Sequence, residues 1–152
     1  MDHRQQLIAP CVMDCALCAN YQVNKYGYYK KGTHRKGCIG CRPRGLSCIF
    51  MTNTCDSIGQ QQIEFCFECQ HYPCVQLKRL DKRYRTKYHL SMIENLNQIK
   101  NEGLSSFIKH QEKWNCSKCH EPISCHNGLC MNCDFDVLKS NPKYHWDHLK
   151  TK

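Results

Sequence analysis

The 152-residue sequence contains no apolar run longer than a few residues, so nothing in it approaches the roughly 20 apolar residues that cross a bilayer as a helix. Met1 to Pro10 carries Asp2, His3 and Arg4 and no apolar stretch of signal-peptide length. These absences set the expectation of a cytoplasmic chain with no membrane contact. A Gly-rich phosphate loop is missing too, because Gly37-Cys38-Ile39-Gly40 reads as a turn between two thiols. There is no His-Glu-x-x-His, the signature of a catalytic zinc with an open coordination position. Glu64 and Glu68 flank Cys66, where hydrogen bonding or solvation is a simpler role than acid–base chemistry. No catalytic residue is expected. Aliphatic core is scarce as well: of the 41% hydrophobic residues, fifteen are cysteine. A chain so short of core needs staples, and each structural metal contributes on the order of 10 kcal/mol. Loss of metal is therefore expected to unfold most of the first 75 residues.

Cysteine is what the chain has in excess. Five Cys-x-x-Cys pairs occur: Cys15–Cys18, Cys38–Cys41, Cys66–Cys69, Cys116–Cys119 and Cys130–Cys133. Two residues between thiols let one turn present both sulfurs to a tetrahedral ion. A disulfide framework is the rival. It requires a secreted chain and an even thiol count, and neighbours this close in sequence make poor disulfide partners.

The remaining N-terminal thiols are Cys11, Cys48, Cys55 and Cys74, making ten before residue 75. Ten do not divide by four. Two four-cysteine sites leave two thiols over; His34 and His71 would raise the set to twelve ligands and three sites; shared sulfurs in a binuclear cluster would also resolve the count. Spacing does not choose among these. The triplet Cys11-x-x-x-Cys15-x-x-Cys18 matches that of radical enzymes using S-adenosylmethionine and a four-iron cluster. About 130 following residues cannot build the barrel that such chemistry needs.

At the other end, Cys116-x-x-Cys119 and Cys130-x-x-Cys133 enclose His120 to Leu129. Ile123 and Asn127-Gly128 suggest a short hairpin between the two knuckles. That pattern describes a zinc ribbon. Cys125 and His126, inside the interval, read as an extra thiol and a surface imidazole.

The formal charge is +9 with thiols counted as neutral, but metal binds thiolate. With fourteen thiolates on four divalent ions the charge falls to about +3. Local basic stretches persist: Lys25, Lys30, Lys31, Arg35, Lys36, Arg42 and Arg44, then Lys78, Arg79, Lys82, Arg83, Arg85 and Lys87. Interleaved Tyr21, Tyr26, Tyr28, Tyr29, Tyr84 and Tyr88 would allow stacking on bases beside phosphate contacts. In a chain short of aliphatics they also serve as core.

Four segments follow. Residues 1–75 form a cysteine-rich metal-binding domain of irregular loops and knuckles. Residues 76–112 are a helical segment packing on it. Leu77, Leu80, Tyr84 and Tyr88 recur at helical spacing; Ser91-Met92-Ile93-Glu94 marks a second helix start, Met92, Ile93, Leu96 and Ile99 its apolar stripe, and Gly103 its stop. Leu104, Phe107 and Ile108 predict one more short helix. Residues 113–135 are the ribbon. The tail, 136–152, holds Val137, Leu138, Tyr144, Trp146 and Leu149 and is expected to fold back as a short helix and loop.

Ile8-Ala9-Pro10-Cys11, Cys15-x-x-Cys18, Cys38-x-x-Cys41, Phe65-Cys66-Phe67-Glu68-Cys69 and Tyr72-Pro73-Cys74 together resemble a small cysteine-rich prokaryotic family catalogued as domain of unknown function 3795. The resemblance covers roughly residues 7–80. The helical segment and terminal ribbon look similar to its longer members. It implies metal binding, generally taken as zinc, and no reaction or substrate. Family members usually have Gly after the first cysteine; Val12 stands there in this chain, so a different backbone path is expected.

The sequence thus predicts a small metal-stabilised α+β protein: an irregular multi-zinc knuckle domain, a helical middle and a C-terminal zinc ribbon. Its ligands are Cys11, Cys15, Cys18, Cys38, Cys41, Cys48, Cys55, Cys66, Cys69, Cys74, Cys116, Cys119, Cys130 and Cys133, holding three to four zinc ions. The expected role is a non-catalytic binding or regulatory module for protein or nucleic acid. The alternative is an iron–sulfur or thiol-based redox protein, and labile metal storage is a third reading.

Overall fold

A computed structural model of the chain describes residues 1–28, 37–44 and 55–140. Among them the helices are α1 (His3–Gln6), α2 (Ala19–Lys25), α3 (Asp56–Gly59), α4 (Val75–Tyr88), α5 (Met92–Glu102), α6 (Leu104–His110) and α7 (Phe135–Ser140). Tight 3-10 turns lie at Cys15–Leu17, Cys66–Glu68 and Gln111–Trp114. Strand pairing among the described residues is reduced to two isolated bridges, Ile8–Asp14 and Asn115–Pro122. The small protein is therefore mostly helical, and the strand component of the expected α+β class shrinks to those bridges. The physical reason is visible between Cys119 and Cys130. His120 takes φ 60° and Gly128 φ 71°, so turns consume most of that interval and leave no length for a ladder. No helix among the described residues is long and apolar enough to cross a membrane.

The chain forms two compact units, one from Met1–Cys15 and Gly40–Gln111, the other from Ala16–Ile39 and Glu112–Lys152. In the first, α5 packs on α4, on α6 and on the 3-10 turn that carries Cys66. Its stripe is the predicted one at three positions: Met92 and Leu96 are fully buried and Ile99 nearly so. Ser91 caps α5, its Oγ accepting the Glu94 amide at 3.1 Å. Gly103 ends it at φ 86°, ψ 161°, a conformation open in practice to glycine alone. Phe107 of α6 and Leu77 of α4 complete this buried set.

The N-terminal segment of the same unit is fastened by polar contacts. Arg4 of α1 grips the buried Asp14 with both terminal guanidinium nitrogens, at 2.8 and 2.5 Å. The Cys15 amide donates to the Leu7 carbonyl at 2.7 Å. Between them Val12, fully buried, sits at φ 62°. That is the left-handed region which glycine occupies freely and a β-branched residue does not. The valine has taken a glycine's conformation at this turn.

The second unit has its own core of Ala19, Val23, Tyr28, Met131 and Leu138, flanked by Tyr26, Leu129 and Phe135. The Tyr28 hydroxyl donates to the Met131 carbonyl at 2.5 Å, and its ring lies 4.6 Å from that of Phe135. Tyr28 is thus core rather than contact surface. Leu138 is supplied by α7, the helical part of the tail; residues 141–152, with Tyr144, Trp146 and Leu149, lie outside the described residues.

Candidate metal centre

Cys116, Cys119, Cys130 and Cys133 come together in the second unit, their four sulfurs all within 4.8 Å of one another. The Cys116–Cys133 and Cys119–Cys130 sulfur separations are 4.0 and 3.6 Å. A tetrahedron with metal–sulfur bonds of about 2.3 Å has edges of roughly 3.8 Å, so these spacings suit a single ion.

Local backbone chemistry builds both knuckles. The Cys116 amide donates to the Glu121 carbonyl and the His120 amide to the Cys116 carbonyl, each at 2.8 Å, which folds the first thiol pair into a closed loop. Ile123 donates to the Trp114 carbonyl at 2.9 Å. The second knuckle is closed by Asp134, whose amide donates to the Cys130 carbonyl at 2.8 Å and whose carboxylate accepts the Cys130 amide at 2.9 Å. Amides also point at sulfur: Lys118 at Cys116 and Cys133 at Cys130, both 3.4 Å. An N–H aimed at sulfur favours thiolate, the form that ligates metal.

The electrostatics of the four are unequal. Amide donation, led by Glu121, draws the Cys119 thiol down to about 6, and amides of Cys119 and Lys118 lower Cys116. Cys133, hydrogen-bonded to Cys119, is pushed up to about 12, and burial raises Cys130. An all-sulfur set with no imidazole or carboxylate suits a soft or borderline-soft ion. The four-cysteine cluster can hold a metal ion.

Among the described residues no other group of three or more ligating side chains meets the same 4.8 Å spacing. The remaining predicted ligands are distributed as follows. Cys15 and Cys41 adjoin, the Cys41 amide donating to Cys15 Sγ at 3.4 Å. The Cys41 thiol's hydrogen bond holds Cys15 below its ordinary range despite burial. Cys11 is fully buried, and the next segment is tied to it by the Cys66 amide donating to the Pro10 carbonyl at 2.9 Å. Cys55, Cys66, Cys69 and Cys74 line one cavity. Cys18 precedes α2, and the Cys38 amide donates to the Asn20 carbonyl at 3.0 Å. Cys48 and His34 lie outside the described residues. His71 is exposed, its ring 3.3 Å from the Gln70 amide group. All fourteen described cysteines are free of disulfides.

Two residues do more than their sequence context suggested. The Cys125 amide donates to the Leu17 carbonyl at 2.9 Å, and His126 Nδ1 accepts the Ala19 amide at 3.1 Å. The imidazole therefore caps α2 across more than a hundred residues of sequence, and no local pattern carries such a contact. Glu68 is accounted for structurally: its carboxylate accepts the amides of Glu64 and Phe65 at 3.0 and 3.3 Å.

These features define a cysteine-rich protein with a metal-competent tetrathiolate cluster. Residues 7–79 match the family described as Protein of unknown function (DUF3795), and the match supports that family over the segment. The cluster at 116–133 falls outside the matched residues. No protein of curated function and no solved structure matches the chain.

Proposed function

We propose that the chain is a structural zinc protein of the reducing cytoplasm, acting without catalysis as a binding or regulatory module. The observation that carries this reading is the four-sulfur cluster of Cys116, Cys119, Cys130 and Cys133, read as a zinc ribbon. A closed all-thiolate site leaves no position for substrate or activated water, which is the arrangement of structural zinc. Three to four zinc ions in all are expected across the cysteine-rich chain.

The surface for a partner is α4. Lys78, Arg79, Lys82, Arg83 and Lys87 are all exposed along it, and Tyr84 and Tyr88, half-buried, stack edge to face with centroids 5.0 Å apart. An anionic protein surface or a nucleic-acid backbone is the complementary chemistry. Elemental analysis of anaerobically purified protein tests the metal: zinc above one ion per chain supports the reading, and iron with acid-labile sulfide would replace it by a redox one. Filter binding with RNA and DNA across a salt series tests the partner. Affinity falling steeply with salt selects nucleic acid; the absence of salt-sensitive binding leaves an acidic protein partner.

A further inference from the structure

We propose that Cys55, Cys66, Cys69 and Cys74 form a second tetrathiolate site, for a divalent thiophilic ion such as zinc, in the unit that does not contain the ribbon. The four sulfurs come from three separate pieces of chain. Cys66 and Cys69 bracket the 3-10 turn Cys66–Glu68, closed by the Cys69 amide donating to the Cys66 carbonyl at 3.1 Å. Cys74 immediately precedes α4 and accepts the Leu77 amide on its sulfur at 3.5 Å. Cys55 stands before α3, where its carbonyl accepts the Gly59 amide at 3.0 Å. All four side chains line a single cavity of about 20 Å³, a volume that takes one water molecule or one ion. Its other walls include Tyr72 and Leu77, and it holds no imidazole or carboxylate.

The set is chemically coherent. Four thiols facing an otherwise apolar space have little to satisfy them except each other or a soft cation. Their spacing is wider than that of the ribbon, since no three lie within 4.8 Å of one another. Cys11, although near Cys66, does not line the cavity. The assignment also settles which thiol joins the Cys66-x-x-Cys69 pair and Cys74: it is Cys55, which belongs to no Cys-x-x-Cys pair of its own.

This inference rests on the reading of the chain as a zinc protein, and one experiment separates the two. Full-length protein, expressed with zinc and purified anaerobically, is assayed for metal per chain alongside Cys116→Ser/Cys119→Ser, Cys66→Ser/Cys69→Ser and the combined variant. The expected result is loss of one ion in each double variant and of two in the combined one. If the ribbon variant loses an ion and the Cys66→Ser/Cys69→Ser variant does not, the second site falls and the zinc reading stands. If neither loses zinc, both fall. Because the cavity variants can misfold, the unaltered protein is also alkylated with iodoacetamide before and after chelation, and modified cysteines are located by mass spectrometry. Cys55, Cys66, Cys69 and Cys74 should be protected together and released together. Early modification of Cys55 while the other three stay protected, or Cys11 released in its place, overturns the assignment.

Discussion

Asp81 of α4 accepts the Ser91 hydroxyl at 2.6 Å across the turn into α5. The same carboxylate oxygen takes the Ile93 amide at 3.0 Å, and its partner oxygen takes Arg85 at 2.7 Å. One buried carboxylate thus holds the start of α5 against α4 while Ser91 caps the helix with its own oxygen. Replacing Asp81 by Ala strands the Ser91 hydroxyl and the Ile93 amide together. The expected destabilisation is about 2 kcal/mol, read by urea unfolding. Ser91→Ala should cost about 1 kcal/mol through the lost cap. If Asp81→Ala unfolds at the same urea concentration as the parent, this polar junction does not hold the two helices.

The same group makes part of the protein's stability acid-sensitive. Burial pushes the Asp81 carboxyl up, but hydrogen bonds from Ser91, Ile93 and Arg85 outweigh it and leave the folded value below the ordinary one. A carboxyl depressed on folding stabilises the native state above its unfolded pKa, and that stabilisation is lost as pH falls through the folded value. The difference in unfolding free energy between the parent and Asp81→Asn should be constant at neutral pH and shrink once pH drops below about 4. A difference that grows on acidification would contradict the assigned sign.

Gly103 joins α5 to α6 at φ 86° and ψ 161°. A Cβ placed there meets nothing within 4 Å, so Gly103→Ala introduces no clash and isolates the backbone cost, about 1–3 kcal/mol. Thermal or urea unfolding should show a loss of that size. A neutral result would mean that the junction relaxes to an ordinary conformation.

Val12 poses the converse case. Its φ of 62° strains a β-branched residue, while its buried side chain contributes apolar contact. Val12→Ala gives up the contact and keeps a Cβ in left-handed backbone; Val12→Gly gives up the contact and removes the strain, which is about 1 kcal/mol or more. Val12→Gly should therefore be at least as stable as Val12→Ala, the reverse of the usual order. Denaturation of the two variants side by side decides it.

Legibility of this fold in its sequence followed the range of the interactions. Ser91, the Met92–Leu96–Ile99 stripe and Gly103 marked α5 because caps, periodicity and stops act within a few residues. The pairing of Cys116–Cys119 with Cys130–Cys133 was legible for the same reason, since two knuckles separated by ten residues have few other ways to close. The hairpin expected between the two thiol pairs is shorter than the pattern suggests: Asn127-Gly128 turns the chain, but His120 and the Ser124 carbonyl, which accepts the Gly128 amide at 2.8 Å, spend the flanking residues on turns. The capping of α2 by His126 had no local signature at all. Nor had the convergence of Cys55 with Cys66, Cys69 and Cys74, because spacing reports which thiols are neighbours in sequence and not which loops fold together. At Val12 a valine in place of the family's usual glycine suggested a different backbone path, yet the residue takes the left-handed conformation that glycine favours.

Metal removal should act unevenly along the chain. In the second unit the hydrogen bonds of Ser124 to Leu129, Gly128 to Ser124 and Asp134 to Cys130 all close loops that carry or separate the four sulfurs. With the ion gone, these loops lose their common anchor. Within the first unit α5 owes its place to Met92, Leu96 and Phe107, all fully buried, and no cysteine occurs between Cys74 and Cys116. Hydrogen exchange after chelation should therefore rise first and most at the Ser124, Gly128 and Asp134 amides, while the Leu96 and Ile99 amides exchange later. Equal, simultaneous loss of protection in both regions would show that α5 also depends on bound metal, through one cooperative body or through an ion at Cys66 and Cys74, and unchanged exchange at Ser124 and Asp134 would show that the four-cysteine segment holds its shape without metal.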